Sequence, residues 1–164
     1  LYSSKPMGPA DQPDYINAVA WLKTSLAPLL KRRQLRLHME VSPTLTLHTH
    51  AAYLNLLICN LIINSIKHGF DDHQPGSIYL AADGCKQGVV FHYHDDGMAN
   101  SEQHRQQLLS PLRRGEKEHQ GTGLGLGLVW RLVNEQLGGS IELYHPSIRQ
   151  VGYRITIPDL LSPG

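Results

Sequence analysis

The chain has 164 residues, 41% of them hydrophobic and 18% charged, with 15 Lys and Arg against 14 Asp and Glu. That length suits one domain with one core, and a net charge of +1 excludes an overall field that recruits nucleic acid or an anionic membrane. Cys59 and Cys85 form neither a CxxC pair nor a disulfide framework, and no apolar run approaches the roughly 20 residues of a bilayer span, so a reducing cytoplasm is the expected setting.

Residues 1–14 are rich in Pro, Gly, Ser and Asp and read as a linker, and the start on Leu1 suggests a piece of something longer. From Tyr15 to Arg33 the spacing of Ile16, Val19, Leu22, Leu26, Leu29 and Leu30 predicts an amphipathic helix containing Pro28. Alternation of Leu35, Leu37, Met39 and Val41 with Arg36, His38 and Glu40 predicts a half-buried strand, and Leu45 to His50 a short second one. Tyr53 to Gly69 reads as a helix with Gly69 just past its end. Strands follow near Ser77–Ala82 and Val89–His94. Asp95 to Gly121 is polar and too long for an ordinary connection, so it is a functional loop candidate. A helix from Gly123 to Leu137, stopped by Gly138 and Gly139, and strands at Ser140–Tyr144 and Tyr153–Ile157 complete the unit. The expected fold class is α/β (α+β): a two-layer sandwich with a mixed, largely antiparallel sheet and helices on one face, over residues 15–158, with 159–164 as a tail.

Three segments carry chemistry. In the helix, Asn60, Asn64, Lys67 and His68 fall within one arc at about 100° per residue. Asn offers a hard carbonyl oxygen suited to Mg²⁺ and Lys a point charge for phosphate, although a solvated helix face has the same pattern. Asp95-Asp96-Gly97 ends a strand, where a carboxylate can accept from an exocyclic amine and Gly97 lets a flat ring approach; a plain Asp-Gly turn is the alternative. Gly121-Thr122-Gly123-Leu124-Gly125-Leu126-Gly127 leads into a helix and can aim backbone N–H groups at an anion. It has no Gly-Lys-Ser/Thr triplet, and Arg113 to Gln120 before it is no buried strand, which excludes a P-loop and a dinucleotide fingerprint. His48-x-His50 and His92-x-His94 each place two imidazoles on one strand face, either solvated or able to meet a metal.

Taken in this order, the segments resemble the ATP-binding domain shared by histidine kinases, type II topoisomerases, MutL proteins and the large ATP-dependent chaperones, and most of all its histidine-kinase branch. Asn60 to His68 looks like that branch's asparagine box, Asp95 to Ala99 like its first glycine box, and Gly121 to Val129 like its second. Leu109-Ser110-Pro111-Leu112-Arg113-Arg114-Gly115 resembles the opening of the ATP lid, usually Phe-x-Pro-Phe-x-Arg-Gly. The resemblance implies a Bergerat-type fold binding Mg²⁺ and ATP. Asn64 would coordinate Mg²⁺ with Asn60 beside it. Lys67 would meet the phosphates, and His68 would lie near the ribose or base. Asp95 would bind the adenine amine and Gly97 shape its pocket. Arg114 would reach the terminal phosphate, and Gly121, Thr122, Gly123, Leu124 and Gly125 would line the phosphate loop.

The sequence departs from that pattern at Ala99, where a second glycine is usual, and at Leu109 and Leu112, where the lid has phenylalanines. None of the 10 histidines lies in a phosphoacceptor motif, since His38-Met39-Glu40 falls in a strand. The implied activity is transfer of the ATP γ-phosphoryl group to a histidine on a separate dimerisation domain, with a response regulator downstream and no nucleic acid or membrane insertion. An anti-sigma-factor-type serine kinase and a non-catalytic nucleotide-binding module of the same fold are the rival expectations.

Overall fold

The computed structural model describes residues 15–42, 45–70, 74–97, 126–147, 150 and 152–160. Helix α1 (Tyr15–Arg32) passes through Pro28 and ends where Gln34 turns left-handed at φ 60°, a conformation that costs an L-residue with a side chain. Strand β1 (Leu35–Val41) follows at once, with Leu35 and Leu37 buried and Arg36, His38 and Glu40 exposed. Helix α2 (Ala51–Asn64) contributes Leu54, Leu57, Ile58, Leu61 and Ile62 to the core and widens into a π turn, Ser65–Gly69. Strands β2 (Gly76–Gly84) and β3 (Gly88–Asp95) form a hairpin. Helix α3 (Leu126–Arg131) also widens into a π turn (Leu132–Gln136), and β4 (Ser140–Tyr144) and β5 (Gly152–Pro158) close the sheet.

The strand order is β1-β2-β3-β5-β4, with β1 and β2 parallel and the other neighbours antiparallel. Register aligns the apolar parity of every strand: Leu37 faces Ile78, Leu80 faces Tyr93, Phe91 faces Ile155, and Ile155 faces Ile141. One sheet face is therefore continuously apolar and packs with α2 and α3 into one core. This is the α/β class expected.

The opposite face carries a ribbon of rings. His38 stacks on Tyr79, Tyr79 on His94, and Tyr144 meets both His92 and His94 edge-on. Arg154 lies over Tyr144, donates to His92 Nε2 at 3.3 Å and pairs with Glu142 at 3.0 Å.

Two expectations are corrected. Leu45 to His50 is not a strand: Leu45 N–H bonds back to the Ser42 carbonyl, and the segment runs irregularly into α2. Its alternation is real, with Leu47 and Thr49 buried and Thr46 exposed, but a two-faced segment becomes a strand only beside a partner ladder. Gly69 is not a left-handed helix stop. The chain leaves the π turn at Phe70 in extended geometry, and Gly138 at φ 68° is the one positive-φ glycine among the described residues. Gly138 does end its helix as expected, with Gly139 N–H bonding to the Val133 carbonyl at 2.8 Å.

Candidate functional site

The parity that buries Val89, Phe91 and Tyr93 places Asp95 on the helix side of the sheet at the end of β3. Its neighbour Asp96 does different work: its Oδ1 accepts from Ser77 N–H at 2.7 Å and its own N–H bonds to the Ser77 carbonyl, which holds the start of β2. Asp95 Oδ1 accepts from Gly97 N–H at 2.9 Å, and Oδ2 accepts from the Ser65 hydroxyl at 2.7 Å. Ser65 Oγ lies 2.6 Å from the hydroxyl of buried Tyr93, which donates to the Leu61 carbonyl at 2.8 Å. Burial, above all, pushes the Tyr93 hydroxyl well above its usual range, the Asp95 charge adds to this and Ser65 opposes it, so Tyr93 stays a neutral donor. The hydroxyl of Tyr153, beside Tyr93 in the register, is raised for the same two reasons, burial first and Asp95 second, and is buried with no partner.

The turns meet here at backbone distance. A Cβ on Gly97 would stand 1.8 Å from the Gly69 carbonyl oxygen, and one on Gly69 would stand 2.8 Å from Asp95 Oδ2. The expected use of Gly97, access for a flat ligand ring, is thus accompanied by a structural one: only a residue without a side chain lets the β3 exit close on the end of the π turn.

Asn64 is the last residue of regular α2, and its amide Nδ2 is buried without a hydrogen-bond partner. The unpaired group is an N–H donor, which suits an acceptor such as a phosphate oxygen and not a cation. Asn60, one turn earlier, donates its amide to the Leu56 carbonyl at 2.8 Å, which leaves its side-chain oxygen as the acceptor. Lys67 and His68 are exposed and sit on the π turn, so the 100° spacing that aligns Asn60 with Asn64 does not carry through to them. Arg114 and Gly121, Thr122, Gly123, Leu124 and Gly125 lie outside the described residues.

The paired histidines gain no metal role. His92 receives the Arg154 donor, Tyr144 sits against both rings of His92-x-His94, and His48 pairs with Asp159 at 3.3 Å. Among the described residues no group of three or more His, Cys, Asp or Glu could hold a metal. Ser65 and Tyr93 are not among the residues that the sequence analysis expects at the site. The signal was present: a hydroxyl on a buried stripe needs a partner, and Tyr93 shares the inward parity of Asp95 two residues on. A cavity of about 730 Å³ opens at the starts of β1 and β2, lined by residues such as Leu30, Lys31 and Arg36, and includes none of the expected site residues.

Residues 49–161 match the family of histidine kinase-, DNA gyrase B-, and HSP90-like ATPases. The sensor-type histidine kinase PrrB of Mycobacterium leprae is 32% identical over 97 residues, 58% of this chain and 21% of that protein. A 29-residue stretch is 68% identical to the 2-amino-4-hydroxy-6-hydroxymethyldihydropteridine pyrophosphokinase of Haemophilus influenzae, which at 18% of each chain is too short to define a shared domain. The chain thus spans about a fifth of these relatives' lengths. Among solved structures, the catalytic domain of histidine kinase ThkA, free of nucleotide, superposes with a TM-score of 0.72 at 16% identity, covering 90% of this chain and 94% of that one. ThkA in complex with the response regulator protein TrrA superposes with a TM-score of 0.70 at 15% identity, covering 90% and 41%. The family match, which covers more than half of the chain, settles the affiliation: the chain belongs to the histidine kinase-, DNA gyrase B-, and HSP90-like ATPase family.

Proposed function

We propose that this chain, over residues 15–158, is the ATP-binding catalytic domain of a two-component sensor histidine kinase. It transfers the γ-phosphoryl group of Mg²⁺-bound ATP to a histidine on a separate helical dimerisation domain, from which a response regulator takes it. The observation that carries this reading is the pairing of a fixed acceptor with an unsatisfied amide. Asp95 is anchored through both oxygens at the end of β3, and the helix residue preceding its Ser65 anchor is Asn64, whose buried amide lacks a partner. Asp95 would accept from the exocyclic amine of adenine. Asn64, with Asn60, would hold Mg²⁺ through side-chain oxygens, the hard donors that ion takes. Held there, Mg²⁺ would supply charge neutralisation at the phosphates. Phosphoryl transfer asks mainly for positioning and charge neutralisation, which Lys67, Arg114 and the Gly121–Gly125 amides would complete.

Calorimetry with Mg-ATP and Mg-GTP tests the binding half. Asp95→Asn removes a charge-assisted acceptor and should weaken ATP by roughly ten- to a hundredfold, while equal affinity for ATP and GTP refutes the adenine pocket. Radiolabelled ATP tests the transfer half. The chain alone should take up no label, and adding the cognate helical histidine domain should give acid-labile label on that domain only, abolished by Asn64→Ala. Acid-labile label on the chain itself overturns the assignment, as does acid-stable label on a serine of an added partner, which indicates a serine kinase.

A further inference from the structure

Three short contacts, Tyr93 to Leu61 O, Tyr93 to Ser65 Oγ and Ser65 Oγ to Asp95 Oδ2, are served by two hydroxyl protons. The carboxylate is the strongest acceptor of the set and takes the Ser65 proton, which leaves the Tyr93 proton lying between Leu61 O and Ser65 Oγ. A helical serine has a standing alternative, which is to bond back to the carbonyl four residues earlier. For Ser65 that carbonyl is Leu61. It already accepts the Ser65 backbone N–H at the point where α2 widens, and Tyr93 occupies its remaining lone pair. Ser65 is buried, at 5% exposed, and its hydroxyl is left with Asp95.

We propose that Tyr93 is a positioning residue for base recognition: by capping the Leu61 carbonyl it diverts the Ser65 hydroxyl from its own helix onto Asp95, fixing the carboxylate as a pure acceptor aimed at the exocyclic amine. This rests on the adenine-binding role proposed for Asp95. An acceptor held in this way favours a ring bearing an amine and opposes one bearing a carbonyl at the same position. The relay therefore sets selectivity between adenine and its 6-oxo counterpart, not the affinity for the phosphates.

The test compares ATP with inosine triphosphate, which carries a carbonyl in place of the 6-amine and a proton on N1, by calorimetry in the presence of Mg²⁺. Four variants of the full 164-residue chain are used: Tyr93→Phe, Ser65→Ala, the double variant and Asp95→Asn, with melting curves to confirm folding. Tyr93→Phe and Ser65→Ala should each reduce the ATP-to-inosine-triphosphate affinity ratio about two- to tenfold, the reach of one hydrogen bond. The double variant should lose no more than Ser65→Ala, because the two hydroxyls act in series. Unchanged ratios in the single variants, with Asp95→Asn abolishing selectivity, overturn the relay and leave the adenine pocket standing. Losses that add in the double variant also overturn it. An Asp95→Asn variant with the full wild-type ratio removes the pocket and the relay together.

Discussion

Gly97→Ala tests whether the site depends on two backbones touching. The added methyl would start 1.8 Å from the Gly69 carbonyl oxygen and 3.1 Å from Asp95 Oδ1, and the first contact is with backbone that no rotamer change can relieve. Either the π turn or the β3 exit must move by about an ångström, a shift that overpacking studies price at roughly 1–3 kcal/mol. Such a shift also breaks the 2.9 Å bond from Gly97 N–H to Asp95, a charge-assisted bond worth about 1.5–3 kcal/mol. The combined loss is about 2.5–6 kcal/mol, which lowers the melting temperature by roughly 5–24 °C for a chain of this size. Thermal melting and ATP calorimetry read the two consequences separately, and ATP binding should weaken at least about tenfold. Gly84→Ala is the internal control. Its methyl would meet only Leu45 Cδ1 at 3.5 Å, ordinary contact, so that variant should keep the wild-type melting point or exceed it. A Gly97→Ala protein that melts within a degree of wild type and binds ATP normally would refute the argument that this contact shapes the site.

Gln34→Gly should raise the melting temperature by about 1–4 °C, because it relieves a left-handed residue at φ 60° at a smaller cost in chain entropy; a lower melting point would show that the Gln34 side chain matters more than its backbone. Tyr153→Phe should stabilise the fold by about 1 kcal/mol in urea denaturation, since the hydroxyl removed is buried without a partner, and a loss would reveal one. Burial holds His94 below its ordinary value of about 6.5, against the opposing pull of Asp95 and then Asp96. The unfolded chain therefore takes up that proton first. Stability from this group is complete above about pH 6.5 and is lost as the pH falls from there toward the folded value, so His94→Gln should flatten the fall in melting temperature between pH 7.5 and 5. An equal fall in the variant would place the acid sensitivity elsewhere.

The strands were legible where one face is buried and a partner ladder exists. Leu35–Val41 and Ser140–Tyr144 fall where alternation places them, and the hairpin strands β2 and β3 extend beyond the expected cores. The same alternation at Leu45–His50 misleads because period two reports two faces and says nothing about a neighbour. Asp95 and the Asn60–Asn64 stripe were readable from spacing and residue type. The phase of Lys67 and His68 was not, because a 100° step assumes a regular α-helix and the chain widens into a π turn from Ser65 onward. Ser65 and Tyr93 illustrate the remaining gap: each is unremarkable in its own segment, and their meaning appears only when β3 is laid beside α2.

The strand order has a kinetic consequence. Strand β1 at one edge is tied to the sheet by a single ladder to β2, and β4 at the other edge by a single ladder to β5, whereas β3 lies between β2 and β5. An edge strand can open by breaking one ladder, but releasing Asp95 from its place requires separation on two sides and extraction of Phe91 and Tyr93 from the core. In amide hydrogen exchange the β3 protons should therefore be among the last to be replaced, and exchange at β1 should proceed through openings that leave Asp95 seated. The carboxylate proposed to read the base is thereby attached to a strand held by ladders on both sides.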